Sequence, residues 1–173
     1  MASSKTDRAL RILIGILMGA FVYILYASMH ERVIGVGDTA PDFTITADNG
    51  RPISPTSFGG KLLVLNFWAT WCPPCVQETP SLDQFQRSLA GSGVVVLGVS
   101  VDKDEKAYRA FLDRNRVSFL TARDPENKIN ADFGTFKYPE TYIINDKGKV
   151  VQKIIGPENW TDGRMLDYVK SLL

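Results

Sequence analysis

The sequence predicts an α/β domain with a central mixed β-sheet flanked by helices and an added N-terminal β-hairpin, preceded by one transmembrane helix. Three features carry this prediction: an uncharged apolar run near the N-terminus, buried strands alternating with helices in mid-chain, and two strand patterns joined by a tight turn near the end. The 173 residues are enough for one ordinary hydrophobic core and short for two, so we expect one soluble domain after the span.

The apolar run covers residues 12–29 and contains no charged side chain. Its 18 residues are close to the roughly 20 that a helix needs to cross the hydrocarbon core of a bilayer. Three basic residues precede the run: Lys5, Arg8 and Arg11. By the positive-inside rule, the N-terminus stays in the cytoplasm and the rest is exported. The predicted segments are a cytoplasmic N-terminus (1–11), a transmembrane anchor (12–29), a linker (30–37) and the exported domain (38–173).

The apolar run has two alternative interpretations, a cleaved signal peptide and a buried core helix. A cleaved signal peptide has a shorter apolar core, of about 7 to 15 residues, and a small-residue cleavage site; no convincing site follows this run. A buried core helix does not fit the basic flank, the position at the start of the chain, or the apolar surface on every side. The sequence therefore favours a retained anchor.

The exported part opens with a predicted β-hairpin, because the alternating segment GDTAPDFTIT is followed by the turn dipeptide Asn49-Gly50. Residues 61–67, KLLVLNF, form a continuous apolar run that is typical of a buried strand. A helix follows, because apolar residues recur at near-helical spacing. These residues are Val76, Leu82, Phe85 and Leu89.

A second buried strand is predicted at residues 94–101, after a break at Gly91 and Gly93. Residues 104–116 follow as a helix. Its inward-facing side chains are expected to be Ala107, Ala110 and Phe111. Because a strand, helix and strand in this order form a right-handed crossover, the two strands should be parallel.

The C-terminal part contains a short amphipathic stretch at residues 128–133 and then two strands, TYIIN and VVQKII. The turn at 146–149 should pair these strands as an antiparallel hairpin. Thr161 is expected to cap a final helix. One face of that helix is apolar and consists of Met165, Leu166, Val169 and Leu172.

The composition excludes several kinds of protein. The 20 Lys and Arg residues nearly balance the 19 Asp and Glu residues, so no large electrostatic field exists to attract nucleic acid. Two cysteines and one histidine are too few for a disulfide-stapled scaffold or a four-ligand zinc site, and no metal site is predicted. The two cysteines are therefore expected to serve either in redox chemistry or in the binding of a soft metal.

Cys72 and Cys75 form a C-x-x-C pair at the predicted passage from strand to helix. At a helix start, unpaired N–H groups and the positive end of the helix dipole favour the thiolate of Cys72, the attacking species in disulfide exchange. Cys75, about one turn further on, is expected to be more buried and to resolve the mixed disulfide. A C-x-x-C pair can also be half of a metal site, but no other cysteine completes one, so the sequence favours dithiol chemistry.

The string NFWATWCPPC, followed by VQETP, resembles the active site of the membrane-anchored thioredoxin-like proteins of the TlpA, ResA and CcmG (DsbE) group. GDTAPDF is similar to the opening shared by that group and the peroxiredoxins, and YPETYIIN is similar to the group's cis-proline segment. The resemblance covers most of the chain after Gly35. It implies a thioredoxin fold.

The resemblance also implies roles for individual residues. Cys72 becomes the exposed nucleophile, Cys75 the resolving thiol, and Pro139 a cis-proline that faces the disulfide. Glu78, three residues after Cys75 and on the same side of the helix, becomes the acid that manages the resolving thiol's proton. A partly buried carboxyl at that position would have a raised pKa. The alternative for Glu78 is an ordinary solvent-exposed helix glutamate.

Aromatic residues next to the cysteines and to Pro139 are candidates for substrate docking. Trp71 is assigned to the surface beside Cys72, and Tyr138 is assigned to the same docking surface. Trp68 could belong either to the core or to this surface. A cis-proline would remove one backbone N–H beside the sulfurs and let a client pair with the neighbouring backbone as a strand does.

The predicted function is disulfide reduction at the bacterial cytoplasmic membrane, with the domain on the periplasmic side. The redox-active disulfide Cys72–Cys75 needs no bound organic cofactor. The resemblance implies an exported disulfide-containing client, with apocytochrome c as a candidate, and a membrane electron donor of the DsbD or CcdA type. Electrons must come from such a donor because the compartment is oxidising.

The sequence leaves two alternative functions open. GDTAPDF suggests a peroxiredoxin-like peroxidase, but the residues around Cys72 lack the proline and threonine placement of a peroxidatic cysteine. Two soft thiolates could instead deliver Cu(I) to an exported oxidase as a thioredoxin-like chaperone. The W-C-P-P-C dithiol fits disulfide exchange more fully than either alternative.

Overall fold

The computed structural model describes residues 3–29 and 33–173, which fall into two compact units that divide before Val33. The first unit is a single helix, α1 (Ser3–Met29). Its stretch Asp7–Leu25 is 19 residues long, apolar, and exposed throughout. By length and composition this helix can cross a membrane, and a signal sequence would satisfy the same criteria.

The second unit contains seven strands and four helices within residues 33–173. In chain order these are β1 (Ile45–Thr46), β2 (Pro52–Ile53), β3 (Leu62–Trp68), α2 (Pro73–Ser88), β4 (Val94–Ser100), α3 (Glu105–Asn115), β5 (Leu120–Arg123), α4 (Lys128–Asp132), β6 (Glu140–Asn145), β7 (Val150–Ile155) and α5 (Gly163–Ser171).

Five of these strands form one mixed sheet in the order β5-β4-β3-β6-β7. The neighbours β3, β4 and β5 are parallel, whereas β6 is antiparallel to both β3 and β7. The short strands β1 and β2 pair separately as a hairpin around the turn at Asn49 and Gly50. The thioredoxin-like fold, the mixed sheet and the added hairpin are therefore confirmed, although the hairpin pairs only two residues on each side.

The central strand β3 is buried along its whole length because it has strands on both sides and apolar layers on both faces. Its alternate residues point to opposite faces of the sheet, as strand geometry requires. Leu63 and Leu65 join one core cluster, and Val64 joins another that contains Phe85 of α2 and Val169 of α5. This burial fixes the end of β3, from which the cysteine pair continues.

The inward face of α3 differs from the prediction. Ala107 and Ala110 are exposed, and the buried residues of the helix are Tyr108 and Phe111. Each alanine precedes one of these aromatic residues by a single position, so it lies about 100° around the helix from the buried face. Burial of the larger apolar surface of the two rings decides which face turns inward.

One helix cap and one strand also differ from the prediction. Asp162 caps α5 in place of Thr161: its side chain accepts the backbone N–H of Arg164 at 2.8 Å, whereas the Thr161 hydroxyl donates to Asn159 at 2.7 Å. Strand β5 was not predicted, because it is a four-residue edge strand with only two buried residues, and its sequence carries no apolar run.

The packed domain begins within the segment that was predicted as a linker, residues 30–37. Residues 30–32 lie outside the described part of the chain. Ile34 is buried in a core cluster of the second unit, and its backbone N–H donates to the carbonyl oxygen of Phe133 at 3.1 Å. Gly37 likewise donates to the carbonyl of Val150 at 2.8 Å. The residues from Ile34 onward therefore belong to the packed domain.

Candidate active site

Cys72 and Cys75 are joined by a disulfide bond at the start of α2, with their Cα atoms 5.3 Å apart. Cys72 is the N-cap residue of the helix, and its Sγ accepts the backbone N–H of Cys75 at 3.3 Å. Pro73 and Pro74 occupy the first two helical positions, so neither supplies an N–H group. Within the first three helical positions, the N–H of Cys75 is thus the only donor, and it is directed at the Cys72 sulfur.

Both cysteines are buried in this disulfide form, with 5% of Cys72 and 2% of Cys75 exposed. The resemblance implied an exposed Cys72, and this expectation is wrong for the oxidised state. The physical reason is packing, because the bonded sulfurs belong to an apolar cluster with Trp68, Tyr108 and Phe111. Cys72 remains the more accessible of the two.

The turn that leads into Cys72 is held by Asp102, which was not among the predicted site residues. The Asp102 carboxylate is buried and accepts both the backbone N–H of Thr70, at 2.9 Å, and the Thr70 hydroxyl, at 2.8 Å. It also accepts the hydroxyl of Ser100 at 2.6 Å. Asp102 follows β4, whose carboxyl end lies at the same sheet edge as that of its parallel neighbour β3. An acidic residue directly after a buried strand was the available signal.

Pro139 follows a cis peptide bond with Tyr138, so the cis conformation that the resemblance implied is present. Tyr138 packs against the apolar cluster that contains the cysteines. The ring of Trp71, which is 63% exposed, meets the Tyr138 ring edge to face, with 5.9 Å between the ring centroids. Both aromatic residues line a cleft of about 520 Å³ that also includes Lys103. Trp68, by contrast, is a core residue.

Glu78 is buried within α2, and the alternative of a solvent-exposed helix glutamate is therefore wrong. Burial raises the pKa of the Glu78 carboxyl to about 7. A hydrogen bond from the indole N–H of Trp160 to Oε1 of Glu78 opposes this shift, because it favours the ionised form. Trp160 was not predicted as a site residue, because it lies 82 positions from Glu78 and carries no local signal.

A second buried acid, Glu140, directly follows Pro139 and was also missed. Its Oε1 lies 2.7 Å from the ammonium nitrogen of Lys153 and accepts the hydroxyl of Tyr142 at 2.6 Å. Burial, and then the bond to Glu140, raise the pKa of the Tyr142 hydroxyl. Lys153 stands opposite Tyr142 on the paired strand β7, so the β6–β7 hairpin supplies the positive charge. This pair ties the segment after Pro139 to the sheet.

The fold and the C-x-x-C disulfide at the start of α2 together define a thioredoxin-like thiol-disulfide protein. The model of the Redoxin family matches residues 35–171, which is most of the chain, and the chain belongs to that family. Its resemblance to the TlpA, ResA and CcmG group is confirmed by its relatives.

Two of these relatives are proteins of Bacillus species. The thioredoxin-like protein YneN of Bacillus subtilis (strain 168) is 39% identical over 147 residues, which cover 83% of this chain and 85% of YneN. The thiol-disulfide oxidoreductase ResA of Bacillus thuringiensis subsp. konkukian is 31% identical over 163 residues, 93% of both chains.

Among solved structures, one from Chlorobium tepidum is assigned as the thiol:disulfide interchange protein DsbE. It aligns with a TM-score of 0.72 and 26% identity, covering 82% of this chain and 99% of that one. The protein is therefore a thiol-disulfide oxidoreductase, and its clients are proteins that contain disulfides.

Proposed function

We propose that this oxidoreductase reduces disulfide bonds in exported proteins, with Cys72 as the nucleophile and Cys75 as the resolving thiol. The observation that carries the assignment of Cys72 as the nucleophile is its N-cap position, where its sulfur receives the first available N–H of α2. A donor and a helix dipole directed at this sulfur stabilise a thiolate there once the pair is reduced. Cys75 lies within the helix and is the more buried thiol.

The reaction proceeds in two thiol-disulfide exchanges. The Cys72 thiolate attacks one sulfur of the client disulfide, forms a mixed disulfide and releases the other client sulfur as a thiolate. Cys75 then loses its proton to Glu78 and attacks the Cys72 sulfur, which frees the second client thiolate and closes the Cys72–Cys75 disulfide. Two electrons pass to the client. The cysteine pair is itself the redox group, and no bound organic cofactor takes part.

The client docks beside Trp71, Tyr138 and Pro139 in this proposal. The exposed Trp71 ring and its contact with Tyr138 support this assignment, because they place an apolar surface next to the cysteine cluster. An extended client segment would lie along this surface and pair with the backbone beside Pro139. Apocytochrome c is the client that the resemblance to the CcmG group suggests.

We further propose that α1 is a retained anchor in the bacterial cytoplasmic membrane, with the cytoplasmic N-terminus at 1–11 and the redox domain on the periplasmic side. The apolar stretch Asp7–Leu25 and the basic residues before residue 12 support this orientation. A reductant in an oxidising compartment must be reduced again by electrons from the cytoplasm. A membrane electron donor of the DsbD or CcdA type would fill that role.

The reduction potential of the cysteine pair tests the direction of the reaction. Equilibration of the full chain with glutathione buffers should give a potential nearer to about −270 mV, the value for thioredoxin, than to about −120 mV, the value for a strong dithiol oxidant. A value near the second figure would identify a disulfide donor.

Trapping of the mixed disulfide tests the roles of the two cysteines and identifies the client. Cys75→Ser should accumulate a mixed disulfide through Cys72, which mass spectrometry can identify. Cys72→Ser is the matched control and should trap no client, since the attacking sulfur is gone. Equal trapping by both variants would contradict the assigned order of attack.

A further inference from the structure

Trp160 is the largest fully buried side chain of the described residues and lies in the segment between β7 and α5. Its ring packs against Phe85 of α2, with 5.1 Å between the ring centroids. Its indole N–H donates to Oε1 of Glu78 on the same helix, one turn after Cys75. A residue remote in sequence thus contacts the acid assigned to the resolving thiol.

The hydrogen bond between Trp160 and Glu78 has a fixed direction. An indole N–H can donate but cannot accept, so it bonds best to a carboxyl oxygen that carries no proton. It therefore stabilises the carboxylate form of Glu78, and in the acid form it leaves the proton to the other oxygen, Oε2. A buried indole that needed only an acceptor could have used a backbone carbonyl.

We propose that Trp160 is a positioning residue for disulfide exchange: its indole N–H holds the Glu78 carboxyl so that Oε2 takes the proton of the resolving thiol. This inference rests on the proposed function, in which Glu78 is the base for Cys75. In this step the S–H bond of Cys75 breaks and an O–H bond forms at Oε2. The thiolate then attacks Cys72, and the departing client thiolate takes a proton from solvent.

The groups around Glu78 give this carboxyl a pKa suited to such a transfer. Burial is the largest influence and raises the pKa, whereas the Trp160 N–H and the backbone N–H of Glu158 lower it. The charge of Glu158, which comes from the same segment as Trp160, raises it again. On α2 itself, the neighbouring titratable group is the Cys75 thiol after reduction. The resulting pKa of about 7 allows Glu78 both to accept and to return a proton at neutral pH.

Trp160→Phe in the full chain tests the inference, because phenylalanine keeps an aromatic ring in the core and lacks the N–H. The reduced chain is mixed rapidly with oxidised glutathione, and the release of glutathione from the Cys72 mixed disulfide is timed across pH. We expect the midpoint of this pH profile to rise by about one unit, since a bond to a charged group is lost. At pH 7 the release should slow about fivefold, because fewer Glu78 carboxyls are ionised.

Two further variants separate this inference from the proposed function. Phe85→Leu loosens the packing of the Trp160 ring but keeps its N–H, and the midpoint should stay at the wild-type value. Glu78→Gln should abolish the midpoint altogether. If Glu78→Gln does so while Trp160→Phe leaves the midpoint in place, the role of Trp160 is overturned and the proposed function stands. If Glu78→Gln leaves the profile unchanged, the base role of Glu78 and with it the role of Trp160 are overturned, whereas disulfide reduction by Cys72 and Cys75 fails only if the trapping and potential measurements fail.

A direct titration covers the case in which Trp160→Phe does not fold. In the oxidised wild-type chain, the indole N–H resonance of Trp160 should shift with pH with a midpoint near the pKa of about 7 of Glu78. The shift should be absent in Glu78→Gln. A wild-type resonance that stays constant from about pH 5 to about pH 9 would overturn the proposal.

Discussion

The two prolines between the cysteines determine how many backbone donors reach the Cys72 sulfur. An N-cap side chain normally faces the N–H groups of the second and third helical positions. Pro74 removes the first of these donors, and Cys75 supplies the second, which bonds Sγ at 3.3 Å. The Cys72 thiolate is therefore stabilised by one backbone N–H fewer than it would be with a residue other than proline at position 74.

Pro74→Ala should consequently stabilise the Cys72 thiolate by adding a donor. We expect a larger thiolate fraction at neutral pH and a reduction potential that is more oxidising by about 30 mV, the equivalent of one hydrogen bond to a charged group. Thiolate ultraviolet absorbance and glutathione equilibration measure the two effects. Pro73→Ala is the matched control, because the N–H of the first helical position does not face the cap side chain. A potential unchanged in Pro74→Ala would contradict this account.

Burial of Glu78 should make the stability of the oxidised protein depend on pH. Its folded pKa of about 7 lies above the ordinary glutamate value of 4.5, so the native state holds a proton that the unfolded chain releases between these values. The free energy of unfolding should therefore fall by about 2 to 3 kcal/mol as the pH rises from about 5 to about 8. Urea unfolding of the full chain in detergent at both pH values measures this loss.

Glu78→Gln is the control for this stability effect, because glutamine keeps an acceptor oxygen for Trp160 but does not titrate. The pH-dependent loss assigned to Glu78 should disappear in this variant. If wild type and variant lose stability equally over the same pH range, another group is responsible.

At the scale of secondary-structure elements, the sequence predicted the strands and helices that have a local pattern of apolar residues. The strands β3 and β4 are apolar runs, and the helix α2 between them has regular apolar spacing, so their parallel arrangement followed. The β6–β7 hairpin followed from two strand patterns around a turn. Strand β5 escaped prediction because an edge strand this short needs only two buried residues.

The turn between β3 and α2 depends on a residue from another element. Asp102 binds Thr70 through both carboxylate oxygens, two positions before Cys72. Asp102→Asn replaces one of these acceptors with an NH₂ donor, which faces either the N–H or the hydroxyl of Thr70. We expect a loss of about 1 to 3 kcal/mol in stability and slower attack by Cys72 on oxidised glutathione, because the turn is no longer held.

Asp83→Asn is a matched control for this variant. Asp83 is a buried carboxylate of α2 that accepts the backbone N–H and the hydroxyl of Ser118, at 2.6 Å and 2.7 Å. Its loss should cost comparable stability, measured by urea unfolding, but leave the rate of Cys72 attack unchanged. Equal slowing in both variants would mean that general destabilisation, rather than the turn, limits the reaction.

For the molecule as a whole, one part of the candidate site is predictable from the sequence, and the other part depends on tertiary contacts. The spacing of Cys72 and Cys75, together with the resemblance around them, predicted the pair and its place at a helix start. The polar residues that hold the site come from distant segments and carry no motif. They are Asp102 after β4, Glu140 after Pro139 and Trp160 before α5. Their contacts exist only after the sheet has assembled. Of the three, Asp102 alone carries a sequence signal, its position directly after a buried strand, and that signal does not name Thr70 as its partner.

The anchor is the remaining prediction for the whole chain, because it decides which compartment the cysteine pair meets. If α1 is retained, the full chain should sediment with membranes and resist extraction by alkaline carbonate, and its N-terminus should still precede residue 12. Protease added outside spheroplasts should digest the redox domain, as the basic N-terminal flank requires. A matched chain that lacks residues 3–29 should stay soluble inside the cell. Recovery of a soluble exported protein that begins beyond Met29 would instead identify α1 as a cleaved signal peptide, and the donor would then have to reach a freely diffusing partner.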